Sequence, residues 1–257
     1  MDLSGFARYP RLHEKTVFVT GGGSGIGAAI VECFIDQGCR VAFVDIARAE
    51  SEKLCAALTS QYGRAPLFIP CDITDIAALR EAIARAGAEL GEIGVLVNNA
   101  ANDTRHDWRD VSPEYWDERM SINLRPMFFA IQAAAPQMLR LGGGSIVNFG
   151  SISWKSATGG MPAYTTAKAA VHGLTRGMAR DLGQSGIRVN TVVPGWVMTE
   201  RQLALWVDAE AERTIDRMQC AKGRIMPVDL ARMVLFLASD DARMCTAQEF
   251  TVDGGWV

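Results

Sequence analysis

Seven short, nearly unbroken apolar runs recur along the chain, separated by longer stretches with helical spacing. They are TVFVT (16–20), RVAFVD (40–45), PLFIP (66–70), GVLVNN (94–99), SIVNFG (145–150), IRVNTVVP (187–194) and EFTVDG (249–254). A strand with one face in water alternates apolar and polar residues, whereas one covered on both faces does not need to. Between these runs lie patterns such as IGAAIVECFIDQG (26–38) and DIAALREAIARAGAEL (75–90). Repeated strand–helix–strand units predict an α/β chain with a mainly parallel sheet. Right-handed crossovers then place helices on both faces of a doubly wound sheet. There is no long linker and no compositional break, so residues 1–257 read as one domain. Residues 1–14 form an N-terminal extension. Residues 200–226, charged and helix-prone, interrupt the rhythm and read as an insertion over the top of the sheet, a substrate lid.

Composition narrows the possible partners. Half of the 257 residues are hydrophobic (49%) and the formal charge is −3, enough to build a large core. No Lys/Arg cluster offers a nucleic-acid footprint, so no nucleic-acid partner is expected. The cysteines at 33, 39, 55, 71, 220 and 245 make no C-x-x-C pair, and His13, His106 and His172 are scattered. No metal site is expected, and the thiols read as reduced, in a cytoplasmic protein. MDLSGFARYPRLHEK (1–15) has no apolar stretch of the kind a signal peptide needs. No run of eighteen apolar residues predicts a membrane span.

The first strand runs directly into TGGGSGIG, Thr20 to Gly27, and then into a helix. Glycines at 21, 25 and 27, with Ser24, let backbone N–H groups approach a pyrophosphate, which the following helix N-terminus also favours. A tight strand-to-helix turn is the plainer alternative. The context of a strand before, a helix after and Asp45 at the end of the next strand favours a dinucleotide. The Asp45 carboxylate suits ribose hydroxyls and repels a 2′-phosphate. Arg48 is a possible cation there, three positions on. NAD is therefore the expected cofactor, with helix capping by Asp45 as the alternative.

Tyr164 and Lys168 lie at i and i+4, on one helix face. A free phenol has a pKa near 10, and a nearby ammonium lowers it toward a useful base. Such a pair also occurs on solvated helices. Ser151, ending the fifth strand at the carboxyl edge where such sheets bind ligands, favours the catalytic reading.

Together TGGGSGIG, CDITD (71–75), NNAA (98–101), Asn123, Ser151 with Tyr164 and Lys168, and PGWVMT (194–199) resemble the short-chain dehydrogenase/reductase pattern, in order and spacing, over residues 16–255. The resemblance implies a Rossmann-like fold with seven parallel strands, a nicotinamide cofactor and a homotetramer. It implies that Asp72 and Ile73 flank the adenine, and that Asn99 and Ala100 line the ribose side. Ile26 would lie near the pyrophosphate, with Pro194, Val197 and Thr199 toward the nicotinamide. It gives Asn123 a role through its backbone carbonyl, exposed by a kink and holding a water linked to Lys168; a purely structural Asn123 is the alternative. Lys168 would also bind the nicotinamide ribose.

Substrate specificity is expected from three loops: ANDTRHDW (101–108), SISW (151–154) and WVMTERQLALWVDAEAERT (196–214). Asn102, Ser151, Ser153, Trp154, Tyr164, Trp196 and Gln202 are the candidate contacts, and Arg105, His106 and Trp206 stay open between substrate and surface roles. Hydrogen-bonding groups beside flat aromatic faces suit a sugar better than a steroid or an acyl chain. NNAAND, GSISW, VPGWVMTE and CTAQEFTVDGGW resemble NAD-dependent aldose 1-dehydrogenases, which implies oxidation of an anomeric hydroxyl of galactose, xylose or arabinose to a lactone. The alternatives are another alcohol or keto-acid dehydrogenase of sugar catabolism, a 3-oxoacyl reductase, or a non-catalytic NAD-binding regulator.

Overall fold

In the computed structural model, which describes residue 3 and residues 5–257, the seven apolar runs are strands that all pair in parallel. They are β1 (Thr16–Thr20), β2 (Arg40–Asp45), β3 (Leu67–Pro70), β4 (Ile93–Asn98), β5 (Gly144–Phe149), β6 (Ile187–Pro194) and β7 (Glu249–Val252). Their spatial order is β3-β2-β1-β4-β5-β6-β7. The chain first winds outward from β1 to β3, then crosses back to β4 and winds the other way. That reversal leaves a crevice beyond the carboxyl ends of β1 and β4. Met1, Asp2 and Ser4 of the expected N-terminal extension lie outside the described residues.

Neighbouring strand residues face opposite sides. On one side Val17, Val19, Val41, Phe43, Val95 and Val97 pack against α1 (Gly25–Asp36) and α9 (Pro227–Ala238). On the other, Phe18, Ala42, Val44, Leu96 and Ile146 pack against α3 (Ile76–Leu90) and α5 (Arg125–Arg140). Every one of these strand side chains is buried. This double coverage explains why the runs are nearly unbroken in apolar residues.

The remaining helices are α2 (Arg48–Tyr62), α4 (Pro113–Asn123), α6 (Pro162–Leu182), α7 (Glu200–Leu205) and α8 (Ala209–Met218). Helices α7 and α8 occupy the stretch expected to insert between β6 and β7. A buried polar chain ties α6 to the sheet. Asn98 Nδ2 donates to Asn148 Oδ1 (2.8 Å), Asn148 Nδ2 to Thr175 Oγ1 (2.9 Å), and Thr191 Oγ1 lies 2.8 Å from Thr175 Oγ1. Satisfied buried polar groups specify one arrangement, because sliding the helix would strand them.

Candidate active site

A cavity of about 1060 Å³ opens at the carboxyl edge of the sheet. The turn after β1 forms one end. Gly21 has φ of +68° and Gly25 of +53°, the left-handed region that favours glycine. A Cβ on Gly27 would stand 1.8 Å from the Gly21 carbonyl oxygen, so only glycine allows helix and turn to pack this closely. Ser24, at the N-cap of α1, makes no side-chain capping bond. The twelve-residue helix thus points its first N–H groups at the cavity rather than at its own cap.

The turn is braced from β4. Thr20 Oγ1 accepts the N–H groups of Asn99 and Ala100, both at 3.1 Å. Asn99 Nδ2 donates to the Thr20 and Gly21 carbonyls at 3.1 and 3.0 Å. Asp45 accepts from the Gly23 N–H (2.8 Å) and the Ala47 N–H (2.9 Å). Asp45 therefore does shape the local backbone, and it also lines the cavity together with Glu50 and Asp72. Arg48, the candidate counter-charge, pairs instead with Glu52 at 3.8 Å and is not among the lining residues. Glycine cradle, free helix N-terminus and terminal carboxylate fit a dinucleotide.

The expected dinucleotide contacts Gly21, Ser24, Gly25, Ile26, Gly27, Asp45, Asp72, Ile73, Asn99, Ala100, Tyr164, Pro194, Val197 and Thr199 all line this cavity. Lys168 does not. It is buried behind Tyr164, with Nζ donating to the Phe149 carbonyl at 2.8 Å and lying 5.7 Å from the phenol ring centroid.

Ser151 sits just past β5 and caps a 3-10 turn, Ile152–Trp154. Its Oγ accepts the Ser153 N–H at 3.1 Å. A hydroxyl that accepts on one side keeps its own proton to donate. Burial pushes the Tyr164 phenol up and the Asp103 carboxylate adds to this, while the Ser151 hydroxyl and the Arg105 guanidinium pull it down. Burial pulls Lys168 down to about 7, against the opposite pull of Asp103. In the protein alone, desolvation thus works against the ammonium–phenolate pair that the spacing suggests. Desolvation favours the neutral form of both groups, the form that a tyrosine already has in neutral water and a lysine does not.

Asn123 ends α4, and Leu124 (φ −134°, ψ −55°) breaks the helix before α5 starts at Arg125. The kink is present, and the Asn123 side chain also has work of its own. Oδ1 accepts the Asn102 N–H at 2.8 Å, while Nδ2 donates to the carbonyls of Asn102 (3.1 Å) and Arg119 (3.0 Å). It anchors the loop after β4.

Above the chemistry, three loops meet. Trp196 Nε1 donates to Gln202 Oε1 at 3.0 Å, and Gln202 Nε2 donates to Asp103 Oδ2 at 2.7 Å. Arg201 pairs with Asp103 at 3.4 Å. Asn102, Ser151, Ser153, Trp196, Gln202 and Arg105 line the cavity. The Ser153 hydroxyl is enclosed and has no hydrogen-bond partner among the described residues. Arg105 lies over the Trp206 ring, 5.4 Å from its centroid.

His106, left open above, and Trp154, expected at the substrate, both lie away from the cavity lining. His106 is outside the lining: Nδ1 meets the Thr104 carbonyl and the Tyr115 hydroxyl, both at 3.0 Å, and Nε2 accepts the Ala163 N–H at 3.3 Å. Nε2 thus holds the start of α6, while Nδ1 is engaged by the loop after β4 and by α4. Trp154 is also outside the lining. It turns away from the cavity, and its indole N–H donates to His172 Nε2 at 3.1 Å. In its place stands Trp256, which the sequence reading did not single out. The last residues fold back over the sheet edge, held by Asp253, which accepts from the Gly255 N–H (2.8 Å) and the Val257 N–H (2.9 Å). Trp256 lines the cavity, with its ring centroid 6.4 Å from that of Trp196.

The comparisons with known proteins agree with this geometry. Residues 21–257 match a family model described as enoyl-(acyl carrier protein) reductase. The probable galactose dehydrogenase GalD of Rhizobium meliloti is 49% identical over 249 residues, 97% of each chain. The D-xylose 1-dehydrogenase of Caulobacter vibrioides is also 49% identical, over 97% of this chain and 98% of that one. Among solved structures, a blue fluorescent protein from a metagenomic library in complex with NADPH superposes with a TM-score of 0.87 at 37% identity, covering 96% of this chain and 99% of that one. Parallel sheet order, glycine turn, and serine, tyrosine and lysine at one strand end thus coincide with relatedness along almost the whole length: the chain belongs to the short-chain dehydrogenase/reductase family.

Proposed function

We propose that this protein oxidises the anomeric hydroxyl of a galactose-, xylose- or arabinose-like aldose to the lactone, with NAD as the cofactor. One observation carries the substrate class. The outer cavity wall combines hydrogen-bonding groups on Asp103, Gln202 and Asn102 with the two indoles Trp196 and Trp256. Polar groups to take hydroxyls and flat faces to cover C–H patches are what a pyranose requires. The dehydrogenases named for galactose and xylose, each 49% identical, support the same class.

Ser151 donates its hydroxyl proton to the substrate's anomeric oxygen and holds it beside Tyr164. The Tyr164 phenolate takes the proton from that oxygen as the C–H bond breaks and the C–O bond becomes the lactone carbonyl. Lys168 lies behind the phenol and tunes it, and Asn123 keeps the loop bearing Asn102 and Asp103 in place. A bound oxidised nicotinamide supplies the hydride acceptor and a positive charge that favours the phenolate. Asp45, with Glu50 and Asp72 nearby and Arg48 drawn away to Glu52, favours a free ribose 2′-hydroxyl over a phosphate. Helices α7 and α8 act as the lid.

A spectrophotometric panel of aldoses, simple alcohols and sugar acids, each run with NAD and with NADP, tests the reading. Reduction of NAD with at least one aldose is the expected result. Activity confined to non-sugar alcohols or to sugar acids would reject the substrate class, and a preference for NADP would reject the reading of Asp45.

A further inference from the structure

Trp154 leaves the cavity to join a cluster built from three elements. Its ring meets His172 edge-on, with centroids 5.0 Å apart at 70°. Its N–H donates to His172 Nε2, so that nitrogen carries a lone pair and the imidazole proton is on Nδ1. Nδ1 lies against the Glu249 carboxylate on β7. Glu249 in turn pairs with Lys155 at 2.6 Å, and the Lys155 ammonium lies 5.4 Å from the Trp154 ring centroid. The loop thus closes on itself: turn, α6, β7, turn.

The positions of these residues give the cluster its meaning. Trp154 and Lys155 end the 3-10 turn that Ser151 caps. His172 is one helical turn beyond Lys168 and two beyond Tyr164, on the same face of α6. His172 Nε2 also lies 3.1 Å from where a Cβ on Gly150 would be, so the imidazole touches the strand end itself. The buried side of His172 thus contacts the backbone leading to Ser151, and its helix carries the proton acceptor.

We propose that Trp154 is a positioning residue: through His172, Glu249 and Lys155 it fixes the turn bearing Ser151 against the helix bearing Tyr164 and Lys168. The inference rests on Ser151 and Tyr164 being the chemical pair. It does not depend on which substrate they serve. Catalytic geometry is sensitive at this scale, since a displacement of about 1 Å can cost roughly a hundredfold in rate. A turn with a single short 3-10 segment has little internal stiffness and takes its position from what it touches.

The charged groups facing His172 are Glu249 from β7, Lys155 from the turn and Lys168 from its own helix. Burial, the largest influence, holds its pKa below the usual value, with Lys155 and Lys168 adding to this and Glu249 opposing it. The lone pair that Trp154 needs is therefore kept through neutral pH.

The test compares Trp154→Phe, Glu249→Gln, His172→Gln and His172→Leu with the wild type. The readouts are NAD-linked turnover with the best sugar, NADH binding by fluorescence, and backbone amide exchange across residues 151–156. Trp154→Phe keeps an aromatic ring but loses the N–H. It is expected to lower kcat about tenfold, leave NADH affinity within twofold and speed exchange in the turn. Glu249→Gln, at a partly exposed site, is expected to do the same more weakly. His172→Gln can still accept from Trp154 and should retain at least three times the kcat of His172→Leu. Wild-type kcat or unchanged exchange in Trp154→Phe overturns the proposal, as do equal rates for the two His172 variants, which would indicate packing alone. If no sugar is oxidised, the sugar reading fails, while amide exchange still decides the role of Trp154.

Discussion

Lys168 stores a cost that can be measured. Its side chain is 1% exposed, and burial brings its pKa from an ordinary 10.5 down to about 7. That interval corresponds to about 5 kcal/mol of penalty on the charged form. Folded, the amine holds its proton only below about 7, whereas unfolded it holds it up to about 10.5. Between those values the unfolded chain binds more protons, so raising the pH favours the folded state. Lys168→Met removes the ionisable group and roughly keeps the length. It also strands the Phe149 carbonyl, which accepts from Nζ at 2.8 Å, at a cost of about 1–3 kcal/mol. The net gain at pH 7 is about 2–3 kcal/mol, or roughly 5–10 °C in Tm for a chain of this size. The advantage should fade as pH rises from 7 toward 10.5 and reverse once the wild-type amine is neutral in both states. Thermal melts of both proteins at pH 7, 8.5 and 10, without cofactor, check this. A variant less stable than wild type at pH 7, or a difference that ignores pH, would refute the reasoning. The same substitution should remove turnover, so the residue would be kept for its chemistry against its cost in stability.

Two further outcomes follow from the site. Tyr164→Phe should lower kcat at least a hundredfold, the usual contribution of a positioned proton acceptor. NADH should still bind with an affinity within about threefold of wild type, by fluorescence titration. Asp45→Ser removes the carboxylate that faces the expected ribose, yet leaves a hydroxyl for the Gly23 or Ala47 N–H. The NADP-to-NAD ratio of kcat/KM should rise tenfold or more, about 1.4 kcal/mol or above, and an unchanged ratio would assign cofactor choice to other residues.

Much of the fold could be read directly. Strands β1, β2 and β6 begin and end where the apolar runs do, and β4 and β5 differ by one residue at each end. Strands covered on both faces announce themselves because apolar residues dominate them, and the polar ones they hold, such as Asn98 and Asn148, are hydrogen-bonded. The glycine turn was legible for a related reason: a 1.8 Å clash at Gly27 leaves one residue type possible. Trp154 was not legible. Its spacing from Ser151 places it near the cavity, but His172, eighteen residues on, decides which way the indole points. Trp256 carried no local signal, since only the fold brings the chain's last residues over the sheet edge. The burial of Lys168 was not legible, because i and i+4 spacing reports direction and says nothing of depth. A charge on a wet helix face and one sealed beneath a strand end look identical as letters.

The brace between Thr20 and Asn99 has a consequence for how the cofactor is received. Four of the bonds that hold the glycine turn run from protein to protein, between the ends of β1 and β4. Its shape is therefore an internal property of the sheet. A dinucleotide arriving there meets a surface already arranged, and the ordering of that loop is not charged against its affinity. Folding has met that entropy in advance, through the side chains of Thr20 and Asn99.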